Sequence, residues 1–421
     1  MLRIIFVLLL FIGFGWLGSS QVSHENINLA SFKTYVDQLN SGQTLDTKGM
    51  SLDQFFIQLG VHFFIPNANE LKTKSELLTQ NILGLCEALK NPSTSTDTTQ
   101  LEASAKNSWK DTMMTYHKIL SAPFGPIYDN DRDIANGIYS WPLMYDCGMH
   151  VEMLEIKNSG QFSPKALYTS QGLMAVEFAL FNDLTSTTCN NNRRFAKVHD
   201  WLKTDQASKK IDLCTLALKS SEIVKSKAQK LNESWALDQG NFTSKMVDGS
   251  TFENFKTVLN NLTDAMFYFE VAKDVQLGKP LGLHKDCLSS DKKCPDDIEH
   301  KWSQTGLDAI EMQFIGLNQI FNEGGFGQYL TSKGFGNVYT DTITLTSSIL
   351  GRIQDLKKTG TLNDLVLNMN ANECQKTTDT NLLVPVCGLQ KQIRQVIILF
   401  KSEILPALSL NAPLVFQGDG D

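Results

Sequence analysis

The stretch from Gln171 to Asp183, QGLMAVEFALFND, limits the possible folds more than any other part of the chain. It is apolar almost all the way round, and Glu177 is the only charge between Lys165 and Asp183. At helical spacing Leu173, Val176 and Leu180 share one stripe, and Glu177 falls inside it. A helix that is apolar on every side is buried in a larger structure. A carboxylate taken in with it must find a partner, bind a cation or stay protonated. The fold must therefore surround this segment and answer its lone acid.

The remainder of the chain is long enough to do so. Its 421 residues can form two or three ordinary domains, and 42% hydrophobic with 20% charged residues is a globular balance. A net charge of −7 argues against nucleic acid as a partner, because binding phosphates needs a basic surface. Residues 1–20, MLRIIFVLLLFIGFGWLGSS, have the charged start, apolar core and small residues of an export signal, with cleavage expected near Ser20–Gln21. This places the mature chain in the periplasm or outside the cell, with no transmembrane span once the signal is removed. Eight cysteines suit an oxidising compartment. Cys287 with Cys294 is the best-marked pair, Cys374 with Cys387 comes next, and Cys189 with Cys214 would tie down a long connection. No CxxC or Cys/His quartet at zinc spacing competes with this reading.

Helical periodicity recurs along the chain, and alternating β-branched runs are few, so the expected fold is all-α. Residues 21–60 read as an irregular lead-in. Helices are expected from Ala68 to Asn91, around Trp109, Met113, Tyr116 and Leu120, from Ile138 to Ile156 with Ser140-Trp141-Pro142 in its first turn, across the Glu177 segment, and from Ile211 to Trp235. Thr185 to Lys209 reads as loop. Asp238 to Ser250 has the composition of a hinge, dividing an N-terminal bundle (21–237) from a C-terminal one (251–421). The second bundle is expected to contain helices Phe252–Val275, Asp296–Asn322 and Val338–Leu356, and a last one between Pro385 and Leu405. Gly172 to Glu177 (GLMAVE) is echoed by Gly306 to Glu311 (GLDAIE), which is compatible with a pseudo-duplication. Trp109, Trp141 and Trp235 read most simply as core residues.

Several of these marks occur together in a known order: the Trp109 helix leading to Phe124-Gly125-Pro126-Ile127, then Ser140-Trp141-Pro142, Gly172 to Phe181, the Cys214 helix ending at Trp235, and Gly278 to Gly282 (GKPLG). From about Ala68 onward the sequence resembles the imelysin-like proteins, also grouped as M75 peptidases or iron-regulated periplasmic proteins. The resemblance implies two packed helical bundles with a site in the cleft between them. The family motif GxHxxE falls on Gly172 to Glu177, where Met174 takes the histidine's place. A thioether is a poor ligand for a hydrolase metal, and no HExxH or HxxE occurs elsewhere. The chain therefore looks like the iron-regulated branch.

By that resemblance its expected role is an accessory in bacterial iron uptake, binding a metal, a metal-bearing ligand or a partner among the iron-uptake components of the cell envelope, with Met174 in the histidine's place counting against enzymatic activity. An M75-type metallopeptidase and a non-catalytic envelope interaction module are the alternatives. The ligand-binding candidates are Glu177, Gly172, Met174, Trp141 and His284. The metal candidates are Glu177, Glu299, His300, Asp308 and Glu311, with iron or another divalent ion as the cofactor. Met174 and the scattered histidines permit haem without pointing to it. His117 and His150, both on helices, read as partner-bonded or exposed rather than liganding.

Overall fold

The computed structural model describes residues 36–38, 49–91, 97–182, 187, 189–190, 192–378 and 383–411; the expected export signal at residues 1–20 lies outside them. Among the described residues there is no β-strand, and no helix is long and apolar enough to cross a membrane.

The first bundle is built on long capped helices. α1 (Leu52–Leu59) starts at a capping box of Ser51 and Gln54 and passes through a wide π-helical turn, Gly60–Phe64, into α2 (Ile65–Lys90). It puts Phe55 and Phe56 into the core, where an irregular lead-in was expected. Asp97 caps α3 (Thr98–Ile119) by accepting the Thr99 and Gln100 amides. α4 (Asp129–Ile138) and α5 (Asp146–Ser159) follow, separated at Tyr139–Tyr145. The helix expected from Ile138 to Ile156 starts instead at Asp146, and Ser140-Trp141-Pro142 lies outside it. Tyr139 is already extended, and a residue before proline is pushed out of the helical region, which affects Trp141. α6 (Gly172–Phe181) contains Glu177. A short α7 (Ala196–Leu202) lies within the segment expected to be loop, and Asp205 caps α8 (Gln206–Trp235). α2, α3, α6 and α8 pack together, with α4 and α5 against α8.

Asp238–Ser250 is not a loose hinge. It contains the helical turn Phe242–Lys245, and Phe242 packs edge-on against Phe124, Trp235 and Phe252. Beyond it lie α9 (Phe255–Met266), a π-helical segment Ala272–Gly278, α10 (Gly306–Asn322), α11 (Phe326–Ser332), α12 (Gly336–Thr359), α13 (Leu362–Asn368), α14 (Ala371–Lys376) and α15 (Pro385–Leu399). α10 packs on α12 and also on α3, so it joins the two bundles. One hydrophobic cluster runs through both bundles, from Phe55 through Trp109, Val176 and Phe314 to Ile404. Each large side chain buried there contributes roughly 1.5–3 kcal/mol. Trp109 and Trp235 are fully buried, whereas Trp141 sits half-buried at the edge.

Four disulfides cross this framework: Cys86–Cys214, Cys147–Cys189, Cys287–Cys294 and Cys374–Cys387. The expected Cys189–Cys214 pairing is corrected. α2 and α8 lie side by side and bring the Cα atoms of Cys86 and Cys214 to 5.5 Å, leaving Cys189 to Cys147 on α5.

Candidate metal centre

The expected helix Asp296–Asn322 begins only at Gly306. After a single turn at Pro295–Asp297 the chain runs irregularly through residues 298–305, with His300 at φ +57° and Gln304 at φ +60°. Left-handed backbone at residues with a Cβ costs about 1–3 kcal/mol and persists only where the surroundings enforce it. A helix would turn neighbouring Glu299 and His300 about 100° apart. The irregular path brings both to one point and turns the Ser303 amide toward Glu177.

Opposite this loop stands α6. Gly172 opens the helix at φ +71°, and a Cβ there would lie 2.6 Å from the Ile138 carbonyl oxygen, so only glycine fits. The Trp109 indole donates to the Leu173 carbonyl at 2.8 Å and fixes α6 on α3. Glu177 is thereby held with no solvent exposure. Its Oε1 accepts the Ser303 amide (3.0 Å) and hydroxyl (2.8 Å), and its Oε2 meets His300 Nδ1 at 2.9 Å.

The far side of the His300 ring faces a second histidine. His117, from α3, places its Nε2 2.9 Å from His300 Nε2, and Gln313 of α10 lies 3.2 Å from His117 Nδ1. Glu299 completes the group, with Oε1 3.8 Å from His117 Nε2 and 3.9 Å from His300 Nε2. The Tyr139 hydroxyl donates to Glu299 Oε1, and Gln276, in the π-helical segment, donates to Oε2. π-Helical turns recur at functional sites. His117, His300 and Glu299 are each at most 1% exposed.

Burial and charge set the protonation of these groups. Burial pushes the His117 imidazole well below its ordinary range, and the neighbouring His300 lowers it further. For His300 burial works against the charge, but Glu177 and Glu299 outweigh it and hold the ring above its ordinary value. Burial raises Glu299, against the pull of His300, Tyr139 and Gln276. Burial also drives the Tyr139 phenol well upward, with Glu299 adding to the effect. Among the described residues, neither Glu177 nor Glu299 pairs with a lysine or arginine.

Two imidazole nitrogens and a carboxylate oxygen thus converge, all within 4.8 Å of one another. Each ligand atom has an outer partner behind it: Glu177 behind His300, Gln313 behind His117, and Gln276 on the second Glu299 oxygen. Such outer partners fix ring tautomers in metal sites. The donors suit a borderline ion such as Fe²⁺, Zn²⁺ or Mn²⁺. Gln313 Oε1 has no partner as placed. Turning that amide would let Oε1 accept from His117 Nδ1–H and leave Nε2 free to bind a metal.

The other candidates lie elsewhere. Asp308 pairs with Lys110 (3.0 Å) and Lys357, and Glu311 with Lys357 (2.8 Å), at a partly exposed face of α10. The lysines already answer these acids, so the expected five-residue metal set divides, and Asp308 and Glu311 stand outside the centre. Met174 is buried in the core, and Trp141 stands between α4 and α5. His284 lies just before the loop closed by Cys287–Cys294, partly exposed and 3.7 Å from Asp286. Sequence reasoning set His117 aside and did not single out Tyr139, Gln276, Ser303 or Gln313. His117 had one legible signal: it directly follows Tyr116 and lies four residues after Met113, on the buried stripe of α3.

The fold and this centre define a class: all-α proteins of two packed bundles with a buried histidine–carboxylate cluster where the halves meet. The family model for imelysin, peptidase M75, matches residues 64–382, and the chain belongs to that family. Its fold is similar to that of an imelysin-like protein from Psychrobacter arcticum, at TM-score 0.60 and 14% identity over 88% of this chain and 98% of that one. It is also similar to a protein from Parabacteroides distasonis described as an iron-regulated protein A precursor, at TM-score 0.55 and 15% identity over 86% of this chain and 96% of the other. No curated protein matches the chain.

Proposed function

We propose that His117, His300 and Glu299 bind a metal ion, and that the protein is a non-enzymatic accessory in bacterial iron acquisition, acting in the periplasm with other iron-uptake components of the envelope. The observation that carries this reading is the convergence of two imidazole Nε2 atoms and a carboxylate oxygen in a sealed interior without a neutralising lysine or arginine. The relative described as an iron-regulated protein A precursor supports the iron context. The four disulfides support an exported location. The depth of burial supports holding an ion over cleaving a polypeptide, because a catalytic metal keeps an open position for substrate.

The test is metal analysis of protein taken from its native compartment, together with titration by Fe²⁺, Zn²⁺ and Mn²⁺, on wild type and Glu177→Gln. In the variant the amide would present an N–H to His300 Nδ1, which must then accept. The ring proton would move to Nε2, the atom that should hold the metal. Affinity should fall by roughly 10–100-fold, the usual effect of losing an outer partner, with little change in the melting temperature of the metal-free protein. Equal affinity in both proteins would remove Glu177 from the site, and wild type that binds none of the ions would overturn the reading.

A further inference from the structure

Tyr139 is the one group in the centre that the metal reading leaves without a task. Its hydroxyl donates to Glu299 Oε1, the same oxygen that faces both imidazole Nε2 atoms. Its ring stacks on His300 at 5.8 Å and meets His117 edge-on at 5.7 Å, so it belongs to the wall of the same small space. At 5% exposure the residue is buried, and its hydroxyl points inward rather than into bulk water.

Counting charge in this dry interior gives the phenol a role. Glu177 and Glu299 are its two carboxylates, and among the described residues no lysine or arginine pairs with either. Together they neutralise a divalent ion and leave one charge of a trivalent ion uncompensated. An uncompensated charge in such a place is strongly unfavourable. A phenolate is the missing third anion, and it is a hard oxygen donor suited to a hard trivalent metal.

Building on the metal-binding reading, we infer that Tyr139 is a specificity-determining ligand, binding as phenolate, and that the ion the centre selects is ferric iron. On loading, the Tyr139 O–H bond breaks, the oxygen pair passes to the metal, and the proton leaves to solvent. No electron is transferred. With a divalent ion the phenol keeps its proton and its hydrogen bond to Glu299. The site is then neutral with either charge state, and Tyr139 accounts for the difference.

The experiment compares wild type, Tyr139→Phe and Tyr116→Phe, each titrated with ferric nitrilotriacetate and separately with Zn²⁺, with visible absorption recorded throughout. Tyr116 is the control phenol, its ring 5.9 Å from that of Tyr139. Ferric-loaded wild type and Tyr116→Phe should show a tyrosinate-to-iron charge-transfer band. Tyr139→Phe should lose the band and bind ferric iron at least ~100-fold more weakly, while its zinc affinity, which also reports correct folding, stays within about threefold. Ferric binding without the band, or a band that survives in Tyr139→Phe, overturns the inference and leaves the metal reading standing. Zinc binding without ferric binding does the same. If neither ion binds wild type, both fall together.

Discussion

At the scale of single residues, the two histidines of the centre are shifted in opposite directions. His117 is kept neutral by burial, and its imidazole sits well below the ordinary value of 6.5 that it regains on unfolding. Its contribution to stability is therefore complete above that value and is lost as pH falls from it toward the depressed one, because the unfolded chain takes up a proton that the native state refuses. His150 and His62 are lowered by burial as well and act in the same direction. His300 acts oppositely: with its value raised by Glu177 and Glu299, its contribution is complete below the ordinary value and fades as pH rises through the raised one. Glu299, raised by burial, opposes the slope together with His300. With three groups against two, the metal-free protein should still lose stability between about pH 7 and pH 5, each unmatched proton contributing up to about 1.4 kcal/mol per pH unit. His117→Gln should remove one proton's share of that slope. Urea unfolding at a series of pH values measures it, and a variant slope equal to that of wild type would contradict the assignment.

At the scale of elements, two short pieces do most of the positioning: the start of α6 and the irregular run from 298 to 305. Gly172→Ala tests the first. The methyl group would meet the Ile138 carbonyl in backbone that disfavours any side chain, so a loss of about 1–3 kcal/mol is expected. Chemical denaturation reads it as a lower midpoint at unchanged slope; an unshifted midpoint would show that the turn relaxes. These two elements also mark how far sequence reasoning reached. Glu177 was legible because an isolated acid in an apolar helix must be answered, and that argument needs only local spacing. Glu299 and His300 drew notice for their chemistry but were placed on a helix, since nothing local announces an irregular path fixed by partners far along the chain. His117, Tyr139 and Glu177 meet that loop across 183, 160 and 123 residues, and periodicity within one helix carries no trace of such contacts. The Asp238–Ser250 segment misled for a related reason. Its glycines and polar residues look like a hinge, yet Phe242 anchors it in an aromatic cluster that includes Trp235.

At the scale of the whole molecule, the question is whether the two halves are separate folding units. α10 packs on α3, a single hydrophobic cluster runs through both bundles, and the buried centre takes His117, Tyr139 and Glu177 from one side and Glu299, His300 and Ser303 from the other. Separating the halves would expose that core and leave buried charges unpaired, so unfolding should occur as one transition despite the chain's length. The disulfides provide a way to see this. Cys86–Cys214 closes 128 residues within the first half and Cys287–Cys294 closes 7 within the second. Chain-entropy arguments give them about 5 and about 2 kcal/mol respectively. Replacing either pair by serines should shift the same calorimetric transition, the first pair more than the second. If each replacement instead moved its own separate transition, residues 21–237 and 251–421 would be independent domains, and the centre would be a docking contact between them. A single shared transition would mean that the ion-binding geometry forms only when the entire chain folds.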